Sequence, residues 1–257
     1  MLISELNKLS DTELYNHIRR DPHIFMFIEN PSEELQLKAV KEYPELIIKI
    51  KNPSEKVQLA AVNNPFSIRF IENPSEKVQL EVIKRSASVI KHIKNPSEKV
   101  QLAAVKQNSS VFEYIKNPSE KVQLEAVKSQ GFLIQYIKNP SEKVQLAAVY
   151  TEPSSIKYIE HPTEKVQLKV VKQNGNFLEY LNNPSKKVQL EAVKQNGSTI
   201  LFIANPSEEL QLAALQKERF PLKFIKNPSP YVKKMLLEDK NFILEPSPNS
   251  LEYIENL

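Results

Sequence analysis

Little in this chain is equipped for bond-making chemistry. Four histidines, at positions 17, 23, 92 and 161, are scattered without metal-ligand spacing. Cysteine is absent, which excludes disulfides and thiolate metal sites. No Gly-rich phosphate loop and no nucleophile motif occurs among only 3 glycines. The carboxylates recur as members of a repeat, and no one pair stands apart for acid–base work. No catalytic residue, metal ligand or cofactor is therefore expected, and the chain is not expected to be an enzyme. What remains is binding chemistry: aromatic rings, lysines and amides that return at fixed intervals.

Those intervals come from one eight-residue stretch, Asn-Pro-Ser-Glu-Lys-Val-Gln-Leu. It stands at 52–59 and returns unchanged at 73–80, 95–102, 117–124 and 139–146, with close variants at 30–37, 161–168, 183–190 and 205–212. A degenerate copy begins at Asn227. The leading prolines, Pro31 to Pro228, are 22 residues apart except for one step of 21 between Pro53 and Pro74. A fixed period of this size is the mark of a solenoid. Each unit reads as two short helices. Asn52 as N-cap, Pro53 at the first helical position and Glu55 three residues after the cap would form a capping box, with Ser54 the alternative cap. The first helix stops at breakers such as Asn64-Pro65, Ser109-Ser110, Gly131, Pro153, Gly175, Gly197 and Pro221. The second segment, typified by Ile134 to Ile137, has about six to eight residues, too few for an isolated helix, and is open to being 3₁₀. Such units are stable only by burying apolar faces against their neighbours.

The expected fold is all-α: a right-handed α-solenoid of about ten 22-residue two-helix repeats over residues 1–257. Residues 1–29 form an N-terminal cap unit, with Ser10 or Asp11 capping a helix and Asp21-Pro22 restarting the chain. Nine regular repeats occupy 30–226. A degenerate cap occupies 227–257, in which Lys234 replaces the usual Leu and Leu251 to Ile254 form a last second helix. Composition agrees with a folded chain, at 40% hydrophobic and 26% charged residues. No apolar run reaches the ~20 residues of a membrane span, and the N-terminal residues do not read as a signal peptide. A cytoplasmic location and no membrane partner are the expectation.

Within this frame three sets of residues carry candidate function. On the second segments, Phe27, Lys49, Phe70, His92, Tyr114, Tyr136, Tyr158, Tyr180, Phe202, Phe224 and Tyr253 share one column. Tyr114, Tyr136, Tyr158 and Tyr180 are candidates to line a partner-binding groove, since tyrosine offers flat amphipathic area at low entropic cost; the alternative is packing between repeats with only the hydroxyl wet. The preceding variable column includes Arg69, Lys91 and Lys157, also candidate partner contacts, beside Glu113, Gln135 and Glu179. On the first helices, Lys56, Lys77, Lys99, Lys121, Lys143, Lys165 and Lys187 form one row and Lys84, Lys106, Lys128, Lys172 and Lys194 another. Rows about 10 Å apart suit a phosphate backbone. Glu55, Glu76, Glu98, Glu120, Glu142 and Glu164, each directly before a lysine, instead favour a solvated mixed-charge face. The net charge of +4 is too thin to decide for nucleic acid.

The residues 52–65, Asn-Pro-Ser-Glu-Lys-Val-Gln-Leu-Ala-Ala-Val followed by Asn-Asn-Pro, resemble the leucine-rich variant repeat. They are also similar to HEAT-like units, in which a cap, a Val-Arg pair and an Ala-rich turn open the first helix. The resemblance covers roughly residues 22–237, with Gln where those families favour Arg and a shorter period. It implies an all-α superhelix used as an interaction surface. By analogy with the arginine ladder of such repeats, Gln58, Gln79, Gln101, Gln123, Gln145, Gln167 and Gln189 are expected to form a structural ladder of hydrogen bonds to the neighbouring unit. The alternative is a row of amide contacts to an extended ligand. The functional expectation is a non-enzymatic scaffold binding a protein partner through its curved surface, as an inhibitor or adaptor in a bacterial or viral setting. A nucleic-acid-binding solenoid using the lysine rows and stacked tyrosines is the alternative, and end-to-end self-association a third.

Overall fold

The computed structural model describes residues 3–217, 225 and 227–238. Among them the secondary structure is helical, without strands. After a short helix at Ile3–Leu6, the chain alternates an α-helix with a six-residue 3₁₀ helix. These pairs run from Asp11–Arg20 with Pro22–Phe27 to Lys186–Gln195 with Gly197–Phe202, and the α-helices Glu208–Lys217 and Pro230–Glu238 follow. The chain is an α-solenoid of 22-residue repeats, and every described second segment is 3₁₀. It divides into two compact units, Met1–Ala126 and Val127–Leu257, each an array of the same repeat. Pro221, Phe224, Tyr253 and the closing helix expected at Leu251 to Ile254 lie outside the described residues.

The α-helix begins two residues later than an Asn cap would place it. Asn30, Asn52, Asn95, Asn117, Asn139 and Asn183 take φ between 49° and 53°, a left-handed conformation that asparagine tolerates better than most residues. They are the turn, not the cap. Ser54 is the N-cap of Glu55–Ala61, extended at φ −61° and ψ 157°, its hydroxyl accepting from the Val57 N–H. Pro53 precedes the cap, so it is not the first helical residue, and Glu55 occupies that place. The reciprocal capping box forms instead at the entry helix, where Glu13 N–H donates to the Ser10 hydroxyl and Ser10 N–H donates to Glu13 at 2.8 Å. The Glu13 carboxyl is held below the usual carboxylate range mainly by its hydrogen bonds from Ser10.

Asparagine serves a second turn as well. Asn64, Asn108, Asn174 and Asn196 cap the 3₁₀ helices through side-chain oxygens that accept from the N–H two residues on, at 2.9–3.1 Å. Asp21 does the same for Pro22–Phe27. The single 21-residue step has a local cause. Glu55–Ala61 has 7 residues where its fellows have 10, and the missing residue is absorbed by tightening. Asn63 and Asn64 donate to the carbonyls three residues back, at Ala60 and Ala61, a 3₁₀-type ending.

Each repeat sends the same residues inward. Val100, Ala104 and Val105 of one α-helix are at most 2% exposed, as are Val144, Ala148 and Val149. The 3₁₀ helices add buried residues of their own, among them Ile68, Ile90, Phe112, Ile134, Ile156 and Ile200. Burying a Val, Ile or Leu side chain contributes about 1.5–3 kcal/mol, and the helices that carry these residues pack both within their own repeat and against the adjacent ones, so each unit depends on its neighbours to complete its core. Gly131 and Gly175 mark the closest approach. A Cβ at either would lie 2.5 Å from a backbone carbonyl of the following repeat, Ala148 and Ala192 respectively.

Candidate functional site

The glutamine column faces its own turn. In nine repeats the side-chain amide donates to the carbonyl of the proline five residues back, from Gln36 to Pro31 through Gln211 to Pro206, at 2.8–3.0 Å. Gln58, Gln79, Gln101, Gln123, Gln167 and Gln189 thus tie the turn to the helix it opens. Bonds to the neighbouring unit, expected of the whole ladder, occur at Gln145 and Gln211. Gln145 also donates to the His161 carbonyl at 3.3 Å and accepts from the Thr163 N–H at 3.1 Å. Gln211 does likewise with Asn227 and Ser229. In Gln58, Gln79, Gln101 and Gln167 the amide oxygen is buried without a hydrogen-bond partner. Amides occupied in this way are poorly placed to hold an extended ligand.

The first-helix lysines belong to a charge relay between repeats. In several repeats the cap hydroxyl donates to the acidic residue that opens the preceding helix: Ser75 to Glu55, Ser97 to Glu76, Ser185 to Glu164 and Ser229 to Glu208, at 2.6–2.8 Å. Ser32 and Ser54 do so with Asp11 and Glu33. The same carboxylates take a lysine: Lys77 reaches Glu55 at 2.9 Å, Lys99 reaches Glu76 at 3.2 Å, Lys121 reaches Glu98 at 3.6 Å and Lys165 reaches Glu142 at 3.4 Å. The cap serines, followed by these lysines, hold Glu55 and Glu76 below the usual carboxylate range. Lys77, Lys99, Lys121 and Lys165, each facing a glutamate, offer little uncompensated charge to phosphate.

The ring column stands at the ends of the 3₁₀ helices, where the chain turns back. In the N-terminal unit it holds Phe27, Lys49, Phe70, His92 and Tyr114, and in the C-terminal unit Tyr136, Tyr158, Tyr180 and Phe202. The four tyrosines are 40–48% exposed, so whole ring faces are accessible and not the hydroxyl alone. Of the other candidates, Arg69, Lys91 and Lys157 are exposed beside rings. The Arg69 guanidinium lies 4.5 Å from the Phe70 centroid, the Lys91 ammonium 5.8 Å from that of Tyr114, and the Lys157 ammonium 4.9 Å from that of Tyr158. Tyr150, 76% exposed on an α-helix with Lys169 5.5 Å from its centroid, lies off this column and went unnoticed in the sequence because no other repeat has an aromatic there.

No group of three or more His, Asp or Glu side chains among the described residues is placed to hold a metal ion. No described helix is long and apolar enough to cross a membrane. No protein family, curated protein or solved structure matches this chain. The helical repeat therefore stands on its own sequence and geometry.

Proposed function

We propose that this chain is a non-enzymatic scaffold that binds a protein partner along the exposed ends of its 3₁₀ helices, as an adaptor or inhibitor acting in the cytoplasm. The observation that carries this is the run Tyr136, Tyr158, Tyr180 and Phe202: large rings at one position of four consecutive 3₁₀ helices, each 37–48% exposed although the same repeats bury their smaller residues fully. Aromatic side chains held on rigid elements bring contact area to an interface at low ordering cost. The variable residues beside them, Gln135, Lys157, Glu179 and Leu201, differ from repeat to repeat and suit recognition of one particular partner. Kinship with leucine-rich variant or HEAT-like repeats remains part of this proposal, supported by the paired-helix unit.

The alternative of phosphate binding through the first-helix lysines loses weight because Lys77, Lys99, Lys121 and Lys165 face glutamates. The test is capture from lysate by the full chain and by its Tyr136→Ser/Tyr158→Ser/Tyr180→Ser variant, each with and without nuclease. A protein retained in both nuclease arms and lost with the variant is expected. Retention that disappears with nuclease, or that ignores the three substitutions, overturns the reading.

A further inference from the structure

In the N-terminal unit the ends of the 3₁₀ helices carry a second property. Three consecutive 3₁₀ helices, Pro65–Phe70, Ala87–His92 and Ser109–Tyr114, end in Arg69-Phe70, Lys91-His92 and Glu113-Tyr114. Arg69 lies over its own neighbour's ring, and Lys91 over the ring one repeat on. His92, between them, is held below the usual imidazole range, first by burial and then by the charges of Lys91 and Arg69. The turns that follow add Lys94 and Lys116, both exposed. Among the described residues, none of Arg69, Lys91, Lys94 and Lys116 has a carboxylate at salt-bridge distance, whereas Lys77, Lys99 and Lys121 of the same unit do. On the α-helices of this unit Lys77, Lys99 and Lys121 are matched by glutamates, while the four cations along the rings are not.

We propose that this edge binds an extended acidic peptide segment of the partner protein, with carboxylates on Arg69 and Lys91 and apolar side chains against Phe70 and Tyr114. The proposal rests on the scaffold reading and adds the partner's chemistry to it. Packed helices lie about 8–10 Å apart and an extended chain advances about 3.3 Å per residue, so each repeat spans roughly three peptide residues. Two acidic residues three positions apart would meet Arg69 and Lys91. A peptide fits better than a nucleic acid because Glu72 and Glu113 interrupt the edge. A uniformly charged phosphate chain is repelled at both, while a peptide places a neutral or basic residue there.

Fluorescence anisotropy on the full chain tests this with three labelled probes: a peptide of four Glu-Val-Pro triplets, kept extended by proline, its Lys-Val-Pro counterpart, and an oligo(dT) of similar length. Saturable binding of the acidic peptide alone is expected, weakened about tenfold or more by Arg69→Glu/Lys91→Glu and unaffected by Lys165→Gln. Proton NMR of His92 gives a readout independent of variants: a bound anion raises its titration midpoint. Binding of oligo(dT) without the peptide, peptide binding indifferent to the charge reversal, or an unmoved His92 overturns the proposal. A lysate partner that is still captured through Tyr136, Tyr158 and Tyr180 while the acidic probe fails would sink the acidic-peptide inference and leave the scaffold reading standing.

Discussion

The same substitution at two positions of the glutamine column should have opposite effects. Gln101 is 9% exposed and makes one hydrogen bond, to the Pro96 carbonyl at 2.9 Å, while its amide oxygen is buried and unpartnered. Gln145 is 5% exposed and makes three, to the Pro140 and His161 carbonyls and from the Thr163 N–H. A neutral hydrogen bond contributes about 0.5–1.5 kcal/mol net, and a buried unsatisfied polar atom costs about 1–3 kcal/mol. Gln101→Leu exchanges one bond for relief of the orphaned oxygen, and gains apolar burial; the expected change runs from neutral to about 2 kcal/mol stabilising. Gln145→Leu removes three bonds and strands the Thr163 N–H, at an expected cost of about 1–3 kcal/mol after the apolar gain. Chemical denaturation followed by far-ultraviolet circular dichroism, on both variants and the parent under one buffer, gives the comparison through transition midpoints without assuming two-state behaviour. Equal destabilisation at the two sites would refute the reasoning, since it would mean that the Gln101 oxygen has a partner in solution and the column is uniform.

Three further outcomes follow from the geometry. Gly131→Ala should cost about 1–3 kcal/mol by overpacking against the Ala148 carbonyl; Ala87 and Ser109 hold the same place in other repeats, so an unchanged melting temperature would show that repeat spacing adjusts freely. Glu55 and Glu76 have carboxyls held below the ordinary value of 4.5, so their contribution is present above that value and is lost as pH falls through the lowered folded-state values. Melting temperature should therefore drop on acidification below about pH 4.5, and drop less steeply in Ser75→Ala/Ser97→Ala; identical slopes would remove the cap serines from the account. Ser97→Ala alone should cost about 1 kcal/mol at neutral pH as a lost N-cap, read from the same denaturation midpoint, and no measurable change would count against Ser97 as the cap.

The repeat and its buried residues were legible from the letters alone. Val and Ala at helical spacing, punctuated by Asn-Pro-Ser-Glu, leave few alternatives, and the structure sends those residues inward. The helix start was less legible. Asn52 and Ser54 are both good caps, and Glu55 stands where a box partner of Asn52 belongs. Only the left-handed φ of Asn52 separates the two readings. The partner of Glu55 could not be read locally at all: its bonds go to Ser75 and Lys77, one repeat away. The rings were ambiguous for another reason, because a tyrosine beside an isoleucine on a short helix satisfies both a packed and an exposed reading. Their half-exposed state depends on how closely adjacent 3₁₀ helices approach, which no single repeat encodes.

The Ser-to-Glu hand-off has a consequence for how such a chain changes length. Each junction that uses it joins the cap hydroxyl of one copy to the first carboxylate of the copy before, and Asp11 already supplies that carboxylate ahead of the first full copy. A copy gained or lost as a complete unit therefore leaves behind a junction with the same donor and acceptor. Gene-level duplication and excision in steps of one period are chemically silent at these seams, while the ring and its neighbour, which take no part in them, change freely. Length and specificity can thus drift separately in this chain.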